Sequence, residues 1–350
     1  MSEHRIIRVG LAGFGMSATI FQIPFLTAHP DYTLAKIYRR GGDDIEPTCP
    51  GARIVRSFEA LLEDDIDLVV LSVPNALHYP LAKQALLAGR NVVAEKPLCR
   101  TAAEALELAA LARERHCVLT VYQNRRLDGD FLTVRKLIDT GRLGEVLDYE
   151  AHYDRYAQGV SGKAWKAAGG PGVNVLYDLG VHIIDQAYTL FGMPDEVYAD
   201  LRKERPESGE FDNFEVILYY PNRKAVLCAG EQVIRQGPHF MVNGRQGTFI
   251  KYGEDVQEAA LIAGKRPPSA DWGLDTPENY GTLYTLADGK VQEEKIPTER
   301  GDYTQFYSRL YPALTAGSEL FVKPEQCADV LRILEAAIES NARKCRIPMK

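Results

Sequence analysis

No stretch of this 350-residue chain approaches the ~18 consecutive apolar residues that a membrane-spanning helix needs. Residues 1–8 are polar and run straight into an apolar, strand-like segment, with no hydrophobic leader region between them. A cytosolic protein is therefore expected, with no membrane partner. Cysteine is sparse and scattered. Cys49, Cys99, Cys117, Cys228, Cys327 and Cys345 form neither a Cys-x-x-Cys pair nor a zinc-ligand spacing. No metal site is expected, and the thiols read as reduced and mostly buried. Basic residues are outnumbered, 41 Lys and Arg against 48 Asp and Glu, and they do not cluster. That balance argues against a nucleic-acid partner, whose binding needs a concentrated basic face. Internal repeats, low-complexity segments and long linkers are absent too.

What is present is a globular composition, 45% apolar and 25% charged, on a length that suits two domains. The first third alternates short apolar runs with helical stretches. Residues 5–11, 33–38, 66–73, 91–95 and 117–122 read as strands. The run 66–73 is almost wholly apolar, as a strand buried on both faces must be. Residues 77–88 read as a helix ending at Gly89, and Thr101-Ala-Ala-Glu104 opens another as a capping box. This alternation predicts an α/β domain over 1–123, a doubly wound parallel sheet with helices on both faces. After Tyr122 the pattern changes. Residues 146–154 alternate apolar and polar as a half-exposed antiparallel strand does. Residues 214–220, 225–229, 240–242, 248–252, 282–286 and 291–296 continue it. Turns are expected at Pro221-Asn222, Asn243-Gly244 and Asp288-Gly289. Residues 124–350 thus read as an α+β domain on a large open antiparallel sheet, closed by a helix over 324–343.

The first strand leads into Gly13-Phe14-Gly15-Met16-Ser17-Ala18, a G-x-G-x-x-A loop. Gly13 permits a tight turn, Gly15 lets a pyrophosphate approach the backbone, and Ala18 lets the following helix pack closely. That helix start offers free N–H groups and partial positive charge to phosphates. Placed after a strand and before further β–α alternation, the loop predicts a Rossmann domain binding a nicotinamide dinucleotide. Pro24 should shorten or kink the helix. An NAD site places a carboxylate about 20 residues past the loop to bind the ribose hydroxyl. Here the second strand ends in Tyr38-Arg39-Arg40, and two guanidinium groups suit a 2′-phosphate. NADP(H) is the expected cofactor. NAD(H) stays open, because Asp43 or Asp44 could still reach a ribose.

Two further constellations carry chemistry. Residues 91–95 run directly into Lys96-Pro97, and a lysine at the carboxyl end of a parallel strand faces the ligand crevice. There it can stabilise a developing oxyanion; position alone equally suits a solvated lysine, and Pro97 can take a cis bond. The segment 174–191 is helical by pattern, with Leu176, Leu179, Ile183 and Leu190 in an apolar stripe. Asp178 and His182 stand four residues apart on another face. His182 is the candidate general base, and Asp178 would hold it or anchor a substrate hydroxyl. A surface helix pair or a two-ligand metal site is the competing reading, the latter lacking a third ligand. The preceding Gly169-Gly170-Pro171-Gly172 gives a flexible or close-packed approach.

With these residues in hand, the chain resembles the Gfo/Idh/MocA family of NAD(P)-dependent sugar and polyol oxidoreductases over nearly its whole length. Gly13-Phe14-Gly15, Pro74-Asn75 with His78, Glu95-Lys96-Pro97 and Asp178-Leu179-Gly180-Val181-His182 stand in the family's order and spacing. Tyr122-Gln123-Asn124-Arg125-Arg126, Gly169–Gly172, Tyr177-Asp178-Leu179 and Asp271-Trp272-Gly273 are most similar to the branch that includes NADP-dependent scyllo-inositol dehydrogenases. The resemblance implies that Lys96, Asp178 and His182 form the catalytic set. It implies that Pro74, Asn75 and His78 lie along the cofactor, that Glu95 contacts the nicotinamide ribose, and that Asn124 and Trp165 approach the cofactor. Arg155 would meet a substrate hydroxyl or carboxylate. The open sheet would bury its face in a homodimer or homotetramer.

Three departures stand out. Lys166 follows Trp165 where the branch often has Arg. Arg39-Arg40 replaces a frequent Ser-Ser, which favours the 2′-phosphate. Gln123 replaces a frequent His. The expected activity is interconversion of a secondary alcohol and a ketone on a sugar or inositol-like polyol. Two alternatives are a redox-neutral NAD-dependent glycoside hydrolase and a non-catalytic NAD(P)-binding sensor. A sensor would need none of Lys96, Asp178 and His182.

Overall fold

The structure is a computed structural model that describes residues 5–42, 49, 51–157 and 173–349. The chain groups into two compact units. The first is built from Met1–Asn124, Gln257–Trp272 and Tyr303–Ala328. Its strands are β1 (Ile7–Ala12), β2 (Tyr32–Tyr38), β3 (Arg53–Val55), β4 (Leu68–Leu71), β5 (Asn91–Ala94) and β6 (Leu119–Val121). All pair in parallel, in the order β3-β2-β1-β4-β5-β6. Val69, Val70, Val92 and Val93 are fully buried, as the continuous apolar runs require of strands covered on both faces. The order reverses between β1 and β4, so the carboxyl ends of those two strands flank the crevice where such sheets bind ligands.

Local signals explain most of the connecting helices. Thr101 accepts from the Glu104 N–H and the Glu104 carboxylate answers the Thr101 N–H, which starts the helix Ala102–Glu114 as expected. Gly89 takes φ +71° just past the helix His78–Leu87. The first helix is interrupted as Pro24 demands. A π-turn over Ala18–Gln22 precedes a short helix, Ile23–Ala28, with the proline in its first turn. The expected strand at 66–73 is trimmed to Leu68–Leu71, and β3 with the helix Phe58–Leu61 was not anticipated. A three-residue strand and a four-residue helix are too short to show a period. The helix Thr304–Ala316 belongs to this unit, where Phe306 packs on Tyr122 and Tyr307 on Tyr32, at ring distances of 4.7 and 5.3 Å.

The second unit comprises Arg125–Val256, Gly273–Asp302 and Asp329–Lys350. Among the described residues its nine strands are β7 (Val146–His152), β8 (Glu196–Arg202), β9 (Asn213–Tyr219), β10 (Lys224–Gly230), β11 (Phe240–Gly244), β12 (Gly247–Lys251), β13 (Gly281–Ala287), β14 (Lys290–Ile296) and β15 (Ile347–Pro348). They lie in the order β14-β13-β12-β11-β7-β10-β9-β8-β15. The sheet is mostly antiparallel, but β7 corrects the expectation: it runs antiparallel to β11 and parallel to β10. Alternation along a strand reports which faces are buried, not the direction of its neighbour. Asp288 and Gly289 form the expected tight turn, with φ +52° and +72°.

The turn expected at Asn243-Gly244 is also corrected. Those residues end β11, and the reversal falls at Arg245-Gln246. Gly244 is needed for a different reason, since a Cβ there would be driven into the Leu143 carbonyl oxygen. The closing helix spans Pro324–Arg343 as read from the sequence. Cys49, Cys99 and Cys327 are buried, and Cys117, Cys228 and Cys345 are half-buried. No helix among the described residues is long and apolar enough to cross a membrane.

Candidate active site

In the first unit, β1 delivers the chain into the glycine-rich loop. Gly13 has φ +100°, and a Cβ there would strike the Ser72 carbonyl oxygen at the end of β4. This glycine is demanded by the protein itself. At Gly15 the opposite holds: a Cβ would meet no protein atom within 4 Å. Packing therefore does not call for glycine at 15, whereas a dinucleotide phosphate lying on the loop does. Ala18, the first residue of the π-turn, is fully buried, and Gly15 and Met16 are exposed. The residues fit a dinucleotide.

The contrast yields a prediction. Gly15→Val should melt like the wild type yet lose most dinucleotide affinity, whereas Gly13→Ala should be destabilised by at least about 1–2 kcal/mol from its backbone conformation alone. Thermal melts alongside calorimetric titration with NADPH check both. Equal loss of stability in the two variants would overturn the assignment.

The corner past β2 carries the guanidinium groups. Arg39 Nε donates to the Gly41 carbonyl at 2.7 Å, and its guanidinium lies 4.8 Å from the Phe14 ring centroid. Phe14 thus draws the arginine toward the loop through a cation–π contact. Arg40 is exposed. Arg56, which the sequence reading did not single out, donates from Nη1 to the carbonyls of Arg39 and Gly42 at 3.1 Å each and braces this turn. Nothing local in the sequence marks it, since it follows β3, a strand too short to show a period. Asp43 and Asp44 lie outside the described residues.

At the ends of β4 and β5 the expected residues separate into surface and floor. Pro74 is exposed and Asn75 half-buried, at the start of a 3₁₀ turn, Asn75–Leu77. His78 is fully buried, its ring nitrogens 2.7 Å from the Pro97 carbonyl and 2.9 Å from the Val73 carbonyl. Burial pushes its pKa down, against the pull of the two carbonyls. The ring thus ties two strand-end loops together and shapes the floor beneath them. Lys96 is half-buried and its bond to Pro97 is cis. Glu95 is 9% exposed and accepts the Ser17 hydroxyl at 2.6 Å, which joins β5 to the glycine loop. Asn124, 7% exposed, opens the 3₁₀ turn Asn124–Leu127.

In the second unit, Asn174 Oδ1 accepts the Tyr177 N–H at 3.2 Å and caps the segment that carries Asp178 and His182. A π-turn, Leu176–Gly180, leads into the helix Val181–Phe191. π-turns of this kind recur at functional sites. A Cβ at Gly180 would press on Leu176 and on the Phe214 ring of β9, so the glycine lets the segment lie against the sheet. Asp178 is half-buried and His182 is 5% exposed.

Further along the same helix, Asp185 pairs with Arg126 through two bonds of 2.7 Å, with side chains 2% and 3% exposed. Gln186 Nε2 donates to the Arg125 carbonyl at 3.0 Å. Neither pair was anticipated; the buried arginine only makes sense once its partner, 59 positions on, is known. Arg155, just beyond β7, lies 3.6 Å from the Glu254 carboxylate and keeps 41% of its side chain exposed. Trp165, Lys166 and Gly169–Gly172 lie outside the described residues. No cluster of three or more potential metal-binding side chains occurs among the described residues.

Residues 7–123 match the family model described as "Oxidoreductase family, NAD-binding Rossmann fold", and residues 135–349 match its companion, "Oxidoreductase family, C-terminal alpha/beta domain". The chain is 38% identical over 345 residues to scyllo-inositol 2-dehydrogenase (NADP(+)) IolW of Bacillus subtilis, covering 98% of this chain and 96% of the relative. It is also 38% identical to the uncharacterized oxidoreductase YdgJ of Escherichia coli, covering 97% and 98% of the two chains. The solved structure of yvaA from Bacillus subtilis matches with TM-score 0.97 at 37% identity and covers both chains fully. An oxidoreductase structure from Bacillus cereus matches with TM-score 0.89 at 34% identity, over 98% of this chain and 99% of that one.

Proposed function

The chain belongs to the Gfo/Idh/MocA oxidoreductase family, and on that footing we propose that it interconverts a secondary alcohol and a ketone on a sugar or inositol-like cyclic polyol, using NADP(H) in preference to NAD(H). The observation that carries the reading is the glycine loop, where Gly15 is open to a phosphate and Arg39 and Arg40 stand where an NAD site keeps a carboxylate. The 38% identity with an NADP-dependent scyllo-inositol 2-dehydrogenase over nearly the whole chain supports the substrate class. When bound, the nicotinamide ring supplies the two-electron acceptor for oxidation of the alcohol carbon and the donor for the reverse reaction.

The chain's own residues do the rest. His182 takes the hydroxyl proton in the oxidative direction and returns it in reduction. Lys96 hydrogen-bonds the same oxygen and stabilises it as negative charge builds. Asp178 orients the substrate or the imidazole. Glu95 and Ser17 shape the cofactor seat, with Pro74, Asn75, Asn124 and Trp165 as further cofactor contacts and Arg155 as a substrate contact. A homodimer or homotetramer joined through the nine-stranded sheet belongs to this reading. It is supported by exposed Tyr252 just past β12, Leu286 on β13 and Val291 on β14.

The test follows the absorbance of reduced nicotinamide with a panel of inositols and sugars. NADP⁺ should be reduced by at least one cyclic polyol, with NAD⁺ a poorer acceptor. In the Arg39→Ser/Arg40→Ser variant, kcat/KM for NADP⁺ should fall about 10- to 100-fold while that for NAD⁺ stays level, because charge-assisted bonds to one phosphate are lost. Absence of net turnover by a protein that binds NADP(H) would reject the activity. An unchanged NADP⁺/NAD⁺ ratio in the variant would reject the role of the arginines.

A further inference from the structure

We propose that Gln22, held in place by Tyr307, is a positioning residue for the dinucleotide-binding loop and acts through Glu95. The proposal rests on reading that loop as the dinucleotide seat. Glu95 Oε1 accepts two hydrogen bonds, from Ser17 Oγ at 2.6 Å and from Gln22 Nε2 at 2.6 Å. The other end of the Gln22 carboxamide, Oε1, accepts from the Tyr307 hydroxyl at 2.5 Å. Gln22 and Tyr307 are both fully buried. An acceptor bonded by a hydroxyl and a donor bonded to a carboxylate fix the amide in a single orientation. Tyr307 is anchored in turn, since its backbone carbonyl accepts from the Tyr32 hydroxyl at 2.9 Å.

The local backbone explains how Gln22 comes to point inward. It is the last residue of the π-turn Ala18–Gln22, one residue before the helix that Pro24 starts. The wider turn places a long polar side chain on the buried side of an otherwise apolar segment. The consequence falls on Ser17. Its hydroxyl hydrogen is committed to Glu95, so toward a phosphate this residue offers its backbone N–H. The hydroxyl keeps that arrangement only while Glu95 holds its place. Glu95 is nearly buried, and losing the Gln22 donor leaves its oxygen short of a partner away from water. The carboxylate then turns, and Ser17 is released with it. Because Glu95 precedes Lys96 in the chain, the same carboxylate ties the cofactor loop to the strand end that carries the lysine.

The experiment uses the full-length protein and two readouts: calorimetric titration with NADPH, and thermal melting without any dinucleotide. Gln22→Leu keeps the shape and removes the donor. Its Kd for NADPH should rise about tenfold, the effect of one charge-assisted hydrogen bond. In a Glu95→Gln background the same change should alter Kd by less than about twofold, because the two residues act along one path. Tyr307→Phe removes a single hydroxyl and should raise Kd about threefold, and this variant carries the test where Gln22→Leu does not fold.

A purely structural Gln22 would lower the melting temperature and leave Kd alone. That result, or effects of Gln22→Leu and Glu95→Gln that simply multiply, overturns the proposal. If the wild type binds NADPH and the variants bind it equally well, only this proposal falls. If the wild type binds neither NADPH nor NADH, the dinucleotide reading falls and takes the proposal with it.

Discussion

His182→Asn is expected to lower kcat on an accepted polyol by about 10²- to 10⁴-fold, the usual contribution of a positioned general base. Binding of NADP(H) should be unchanged. The two readouts separate because they sit in different units: the glycine loop and the arginine corner belong to the first, and His182 to the second. His182 is 5% exposed at the start of the helix Val181–Phe191, which follows Gly180, where a Cβ would press on the Phe214 ring of the sheet. Asparagine fills similar space and keeps a hydrogen-bonding end but cannot accept and release a proton near neutrality. Lys96→Met should cost about 10²- to 10³-fold by removing the oxyanion partner. If both act on one oxygen, the double variant should lose less than the product of the single losses. Pre-steady-state and steady-state rates on one substrate, with NADPH titrations of each variant, decide the matter. A His182→Asn enzyme with full turnover would remove the residue from the chemistry.

The parts of this arrangement that were legible in the sequence share one property: their physical cause is local. A buried parallel strand must be apolar along its length, and residues 66–73 showed it. A capping box needs Thr101 and Glu104 three residues apart, and a tight hairpin needs Asp288-Gly289. The loop motif announced the turn at Gly13 and the phosphate approach at Gly15, but not the Ser72 carbonyl that excludes a side chain at Gly13, because that carbonyl comes from the end of β4. The same limit hid the direction of β7 against β10, the turn at Arg245-Gln246, and the Arg56 brace.

Buried polar residues were the least legible of all. Asp130 Oδ2 and His239 Nε2 face each other at 3.4 Å with both side chains buried. His239 Nδ1 lies 2.6 Å from the His152 carbonyl, so Nδ1 carries a proton and Nε2 of the neutral ring faces the carboxyl as an acceptor. Burial pushes Asp130 up to about 7 and His239 down to about 3. No periodicity in the sequence points to this pair.

Asp185→Leu is expected to have the largest effect on stability, about 3–5 kcal/mol, because it strands the Arg126 guanidinium without its counter-charge in a site 3% exposed. For a unit of this size that is a fall in melting temperature of roughly 10 °C. The cost does not measure the worth of the pair, since taking two ions out of water opposes their attraction. Arg126→Met/Asp185→Leu removes both charges and should regain most of the lost stability, and it can equal or exceed the wild type. Activity should not follow stability in this double variant. The two parallel bonds of 2.7 Å fix both the distance and the rotation of the helix that carries His182 three residues earlier. An apolar pair fills the space without fixing the rotation. The double variant should therefore melt near the wild type while its kcat stays reduced, with NADPH affinity unaffected. Full activity in a restored fold would show that packing alone aims His182, and a double variant as unstable as Asp185→Leu would show that the space itself cannot accept apolar side chains.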